Sequence, residues 1–121
     1  MFHIKYSLEK SDCHGIGLFS EQDIKNGDLI YSPNLDLDLL LTKQEFDQIT
    51  SQEQELIIHY GYFDKELQKY HLAHDDIRFC NHSDKGNISL QNGQLLATRY
   101  IKKGEELCQN YSEFEEELRF Q

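Results

Sequence analysis

Tryptophan is absent, proline occurs once, and no apolar stretch nears the ~20 residues that a bilayer-crossing helix needs, so no membrane partner is expected. Repeats, low-complexity runs and Ser/Gly/Pro-rich connectors are missing too, and a length of 121 residues then predicts a single domain over 1–121. Cysteine is scarce: Cys13, Cys80 and Cys108 are odd in number, widely spaced and without a C-x-x-C pair, which speaks against zinc or a redox couple. They are expected as reduced, mostly buried thiols. Positive charge is short, with 12 Lys and Arg against 22 Asp and Glu and a net charge of −10. A field of that sign repels phosphate backbones, which excludes nucleic acid, and draws Lys- or Arg-rich protein segments. Met1-Phe2-His3-Ile4-Lys5 lacks the basic-then-apolar layout of a secretory leader, so an intracellular, cytoplasmic location is expected.

What is present is enough to fold. Apolar residues make up 38% of the chain, seven Phe and seven Tyr among them, which suffices to offset chain entropy. Phe2 to Leu8 alternates apolar and polar side chains, the period of a half-buried strand; Gly15 to Ser20 and Leu29 to Tyr31 read as further strands. In the middle, Thr42 with Glu45 and Ser51 with Gln54 match the capping box and predict two short helices. Phe46 with Ile49, and Leu56 with Tyr60, are spaced to share a helical face, and Gly61 is placed to end the second helix in a left-handed conformation. Beyond Lys69 come a strand near Tyr70 to Leu72, a polar segment from His74 to Gly86, and a hairpin of 87–91 with 94–99 turning at Asn92-Gly93. A turn at Lys102-Lys103-Gly104 leads to a strand over 106–111, and Glu113 to Leu118 is expected to form one or two helical turns. The fold class is mainly β with minor α.

Taken singly, the residues that could carry chemistry say little. Gly15-Ile16-Gly17 lacks the third glycine and following helix of a dinucleotide loop, though glycines let backbone amides come close to a ligand. Asn81-His82-Ser83 is a polar cluster flanked by Arg78-Phe79-Cys80 and Asp84, and Tyr111 alone reads as a core-edge aromatic. His71, His74 and His82 with Asp75 and Asp76 imitate a metal set, but residues i and i+3 of a strand face opposite ways, so no metal is expected.

In order, these pieces resemble the SET domain, the family of protein-lysine methyltransferases, over nearly the whole chain. Three blocks carry the resemblance: Gly15 to Ser20 with Ile24 to Ile30, then Arg78-Phe79-Cys80-Asn81-His82-Ser83, then Ala97 to Leu107 ending at Tyr111. The R-F-x-N-H-S and G-E-E-L-x-x-x-Y patterns are the specific ones. The compact form is similar to the minimal members of bacteria and viruses, without cysteine-rich zinc modules.

The resemblance implies short curved, β-clip-like sheets with a helical insert and a knot-like C-terminal segment that brings Asn81-His82 beside Tyr111. It implies S-adenosylmethionine as cofactor, contacted by Gly15, Ile16, Gly17, Asn81 and His82, with Arg78 and Phe79 supporting that loop and Phe114 packing near the adenine. Tyr111 matches the catalytic tyrosine. The implied reaction is methyl transfer to lysine in a basic, possibly histone-like, protein or peptide, by a monomer or homodimer; a histone-directed enzyme would be nuclear or act in a host. A fold kept as a catalytically silent interaction module is the alternative. Two positions depart from the family. Gly86 stands where a proline usually precedes Asn87, which predicts a looser turn, and Ile88-Ser89-Leu90 supplies no second channel aromatic. Tyr60, Tyr62 and Tyr70 are unranked candidates for the substrate groove.

Overall fold

The computed structural model describes residues 1–13 and 15–110 and divides the chain into two compact units. The first joins Met1–Pro33 to the described residues from Phe79 onward, and the second is Asn34–Arg78. The expected helical turns at Glu113 to Leu118 and the knot-like threading toward Tyr111 lie outside the described residues.

The first unit is β. Its strands are β1 Tyr6–Lys10, β2 Ile16–Ser20 and β3 Leu29–Tyr31 from the first third of the chain. From the last third come β7 Asn81–His82, β8 Ile88–Gln91, β9 Gln94–Ala97 and β10 Glu106–Gln109. They form one sheet in the order β1-β2-β10-β8-β9-β3, with β7 also paired to β10. β10 runs antiparallel to β2 through Glu106 and Leu107, then parallel to β7 through Cys108 and Gln109 and to β8 at Gln109. A strand from the C-terminal block thus sits between both earlier blocks. Leu18, Ile24, Ile30, Ile88, Ile101 and Leu107 are fully buried and form the core. The β8–β9 hairpin turns as the sequence predicts, with Asn92 and Gly93 both at positive φ. The first strand begins later than its alternation suggests, because Phe2 makes only a single bridge, to Tyr31, and packs its ring on Tyr6 and Tyr31.

Asn87 is buried and works as a piece of backbone: its Nδ2 donates to Glu106 O at 2.8 Å and its Oδ1 accepts from Cys108 N–H at 2.9 Å. The turn before it is not loose. A Cβ at Gly86 would stand 2.8 Å from Cys108 O and 2.9 Å from Asn110 N, so glycine is what lets this turn lie against β10.

In the second unit β4 Leu39–Thr42, β6 Lys69–Leu72 and β5 Tyr62–Asp64 form an antiparallel sheet in that order, with helices α1 Lys43–Gln48 and α2 Ser51–Tyr60 between β4 and β5 in sequence. Phe46, Ile57, Phe63, Tyr70 and Leu72 are its core, and Tyr70 stacks on Phe46 with ring centroids 3.9 Å apart. That core position takes Tyr70 out of the substrate-groove candidates. Thr42 and Glu45 form the predicted capping box; the second box is Thr50 with Glu53, one residue before the predicted pair. The buried residue of α2 is Ile57, and Leu56 is exposed. Gly61 is extended rather than left-handed. Its reason is contact: a Cβ there would collide with the carbonyl oxygens of His71 and Ile57.

Candidate functional site

Three strands of the first unit set the geometry. The chain leaves β1, closes a loop with Ser11 N–H donating to Gly15 O at 2.7 Å, and enters β2 past Gly15, whose φ of +52° favours glycine. β10 lies against β2, and β7 lies against β10. Asn81, on β7, reaches across: its Nδ2 donates to Ile16 O at 3.1 Å and to Glu106 Oε2 at 2.9 Å. Ser11 Oγ donates to the same carboxylate, at 2.8 Å to Oε1 and 3.0 Å to Oε2. At Gly17 a Cβ would collide with that carboxylate and come within 3.1 Å of Asn81 Nδ2, so the strand needs glycine for the network to close.

The glycine turn and the Asn-His block are therefore joined, with Gly15, Ile16, Gly17 and Asn81 brought to one place. His82 follows on β7, exposed, with Nε2 3.0 Å from Asp84 Oδ1. Arg78 and Phe79 end a 3₁₀ turn, Asp76–Phe79, leading into that strand, and both are half-buried. Tyr111 and Phe114 lie outside the described residues. Glu106, the acceptor that ties the site, was not among the candidates, because one acid in Lys-Lys-Gly-Glu-Glu-Leu reads as solvated charge. Its strand period offers the signal: Glu106 and Cys108 share a face of β10. Burial, with help from the Glu106 carboxylate and Cys13, pushes the Cys108 thiol up to about 12.

The second unit holds a separate polar cluster. The Asp38 carboxylate, 1% exposed, lies 2.6 Å from both His71 Nε2 and His74 Nδ1 and accepts from His74 N–H at 2.9 Å. The Tyr62 hydroxyl lies 3.0 Å from His71 Nδ1. The two histidines do not face opposite ways, because β6 ends at Leu72 and His74 lies beyond its alternation. Among the described residues no group of three or more His, Cys, Asp or Glu is arranged to hold a metal. Burial, followed by the charges of Asp64 and Asp38, pushes the Tyr62 phenol up to about 12.

Comparison with known proteins agrees with this architecture. The family model of the SET domain matches residues 15–112. A search of curated protein sequences returned no match. Among solved structures, a candidate histone methyltransferase from Plasmodium falciparum is similar at 21% identity and a TM-score of 0.66, covering 90% of this chain and 94% of that one. Polycomb Repressive Complex 2 of Chaetomium thermophilum, in an autoinhibited conformation bound to S-adenosylmethionine, is similar at 23% identity and a TM-score of 0.71, covering 97% of this chain. The match spans 16% of that longer chain. At these identities the likeness is one of fold.

The turn at Gly15–Gly17 offers a ligand both open backbone and apolar surface. A Cβ at Gly15 would meet nothing within 4 Å, which leaves the peptide uncovered for a polar ligand, and Ile16 beside it exposes apolar surface.

Proposed function

The chain belongs to the SET-domain family, and from that premise we propose that it transfers a methyl group from S-adenosylmethionine to a lysine of a basic protein or peptide. The observation that supports this reading is the junction of the Gly15–Gly17 turn with Asn81 through Glu106, two sequence blocks 65 residues apart that meet in one sheet. In this reading Gly15, Ile16, Gly17, Asn81 and His82 hold the cofactor. Arg78 and Phe79 are assigned to support that loop, and Phe114 is assigned to the adenine.

Bound there, S-adenosylmethionine supplies a methyl group on a sulfonium that an amine can take in line. The chain's own task is to align that amine, free it of its proton and exclude water. A lysine with an ordinary pKa of ~10.4 is neutral in only about one molecule in a few thousand at pH 7. Apolar surroundings favour the neutral form, and a carboxylate beside the amine would hold the ammonium. Tyr111 suits the position because a neutral phenol oxygen accepts a hydrogen bond from the amine without fixing its proton. The net charge of −10 draws basic segments toward the surface while the reaction itself uses no acid.

Calorimetric titration with S-adenosylmethionine and S-adenosylhomocysteine, paired with a Tyr111→Phe variant, tests the reading. Both proteins are expected to bind, with turnover in the variant down by on the order of 10²-fold. A variant as active as the native chain, or no binding at millimolar ligand, rejects it.

A further inference from the structure

Two of the three cysteines lie on the two segments that the Glu106 carboxylate joins. Cys108 is buried on β10, on the same face as Glu106, and burial with the nearby Glu106 carboxylate pushes its thiol up. Cys13 is exposed in the loop between β1 and β2. Its N–H donates to Ser11 Oγ at 3.0 Å, and that hydroxyl donates to Glu106 Oε1 at 2.8 Å. One carboxylate thus gathers the loop that carries Cys13 and the strand that carries Cys108. Cys80 is arranged differently, with its thiol directed to the carbonyl oxygens of Leu107 at 3.6 Å and Asn81 at 3.9 Å.

We propose that Cys13 and Cys108 form an intramolecular disulfide on exposure to hydrogen peroxide, and that its closure loosens the Asn81–Glu106 contact and weakens cofactor binding. The second half rests on the proposed function; the first does not.

The step balances. The Cys13 thiolate attacks one peroxide oxygen, the O–O bond breaks, and the departing hydroxide takes a proton to become water, leaving Cys13 as the sulfenic acid. Cys108 passes its proton to the Glu106 carboxylate and attacks the Cys13 sulfur. The S–S bond forms, the S–O bond breaks, and hydroxide leaves as a second water with the proton that Glu106 held. Two thiols lose two electrons in all, and peroxide is reduced to two waters. Cys108 is inert until then, since burial and the neighbouring carboxylate keep it protonated. Exposure makes Cys13 the first to react. A disulfide brings Cβ atoms to about 4 Å. Glu106 is the same-face neighbour of Cys108 on β10 and holds the Cys13 loop through the Ser11 hydroxyl, so drawing the two cysteines together displaces its carboxylate from Asn81.

The test uses the full chain, treated with hydrogen peroxide and digested without reductant for peptide mapping by mass spectrometry. The expected product is a 13–108 linked peptide that dithiothreitol reverses, absent in Cys13→Ser. In Cys108→Ala the expected product is Cys13 sulfenic acid, trapped by dimedone. A link from Cys13 to Cys80 or to a second chain, or over-oxidation of Cys13 with Cys108 still free, overturns the pairing. Titration of oxidised protein with S-adenosylmethionine is expected to show affinity lowered by about tenfold, the factor for one lost charge-assisted hydrogen bond, and restored by reductant. Unchanged affinity in the mapped disulfide form overturns the switch. Absent binding in the reduced protein counts against the proposed function, and the peptide map still decides the pairing.

Discussion

Replacing Asp38 by Asn removes the charge at the centre of the second unit's polar cluster. The native carboxylate is 1% exposed and takes three hydrogen bonds, from His71 Nε2, His74 Nδ1 and the His74 N–H. An amide keeps one acceptor oxygen and turns an NH₂ toward a second donor, so either one bond is lost or His71 moves its proton to Nδ1, facing the Tyr62 hydroxyl, and the charge assistance is lost in both cases. Hydrogen bonds to charged groups contribute ~1.5–3 kcal/mol, and removing one partner of a buried pair costs about 3–5 kcal/mol. Asp38→Asn is therefore expected to lose about 3 kcal/mol, or roughly 12 °C in Tm at ~4 °C per kcal/mol. The loss depends on pH with a definite sign. Burial pushes the Asp38 carboxyl up, but hydrogen bonds from His74 and His71 outweigh it and hold the group below its ordinary value of 3.8. A carboxyl whose folded pKa is depressed stabilises fully above its unfolded pKa and loses that contribution as pH falls through the folded value. Urea denaturation followed by circular dichroism measures it: the gap between native chain and variant should be present at pH 7 and close below about pH 4. No gap at pH 7, or one that widens in acid, refutes the reasoning.

Thr50→Ala should cost about 1 kcal/mol of stability in thermal melts and Ser51→Ala no more than about 0.5, because Thr50 is the residue whose hydroxyl accepts from Glu53 N–H. Gly61→Ala should cost roughly 2 kcal/mol by the same measurement, since its Cβ meets fixed carbonyl oxygens at the α2–β5 junction. Glu106→Gln should lower S-adenosylmethionine affinity by about tenfold in calorimetry with an unchanged circular dichroism spectrum. Native affinity in that variant would show that Asn81 is oriented without it.

Local chemistry made part of this fold readable. Asn92-Gly93 specifies its own turn, and the repeated Thr-x-x-Glu pattern caps both helices. Where two local solutions compete, Thr50 with Glu53 wins over the adjacent Ser51 with Gln54 because a carboxylate is the stronger acceptor for orphan N–H groups. The strands β4 and β5 carry little local signal because Leu39-Leu40-Leu41 has no polar alternation and Tyr62–Asp64 is only three residues long. In the site, the glycine turn and the Asn-His pair were legible as motifs. Glu106 and Ser11 were not, since their importance arises from a contact spanning 95 residues. Gly61 and Gly86 show the same limit: their lack of a side chain answers to backbone brought near by tertiary pairing, which no neighbouring residue announces.

The most direct measurement of the central claim is mass spectrometry of a lysine-rich protein mixture incubated with this chain and S-adenosylmethionine carrying an isotopically labelled methyl group. Labelled methyl on lysine side chains, lost with Tyr111→Phe, is the predicted result. No transfer from native chain that binds the cofactor, or transfer that Tyr111→Phe leaves unchanged, would contradict the account.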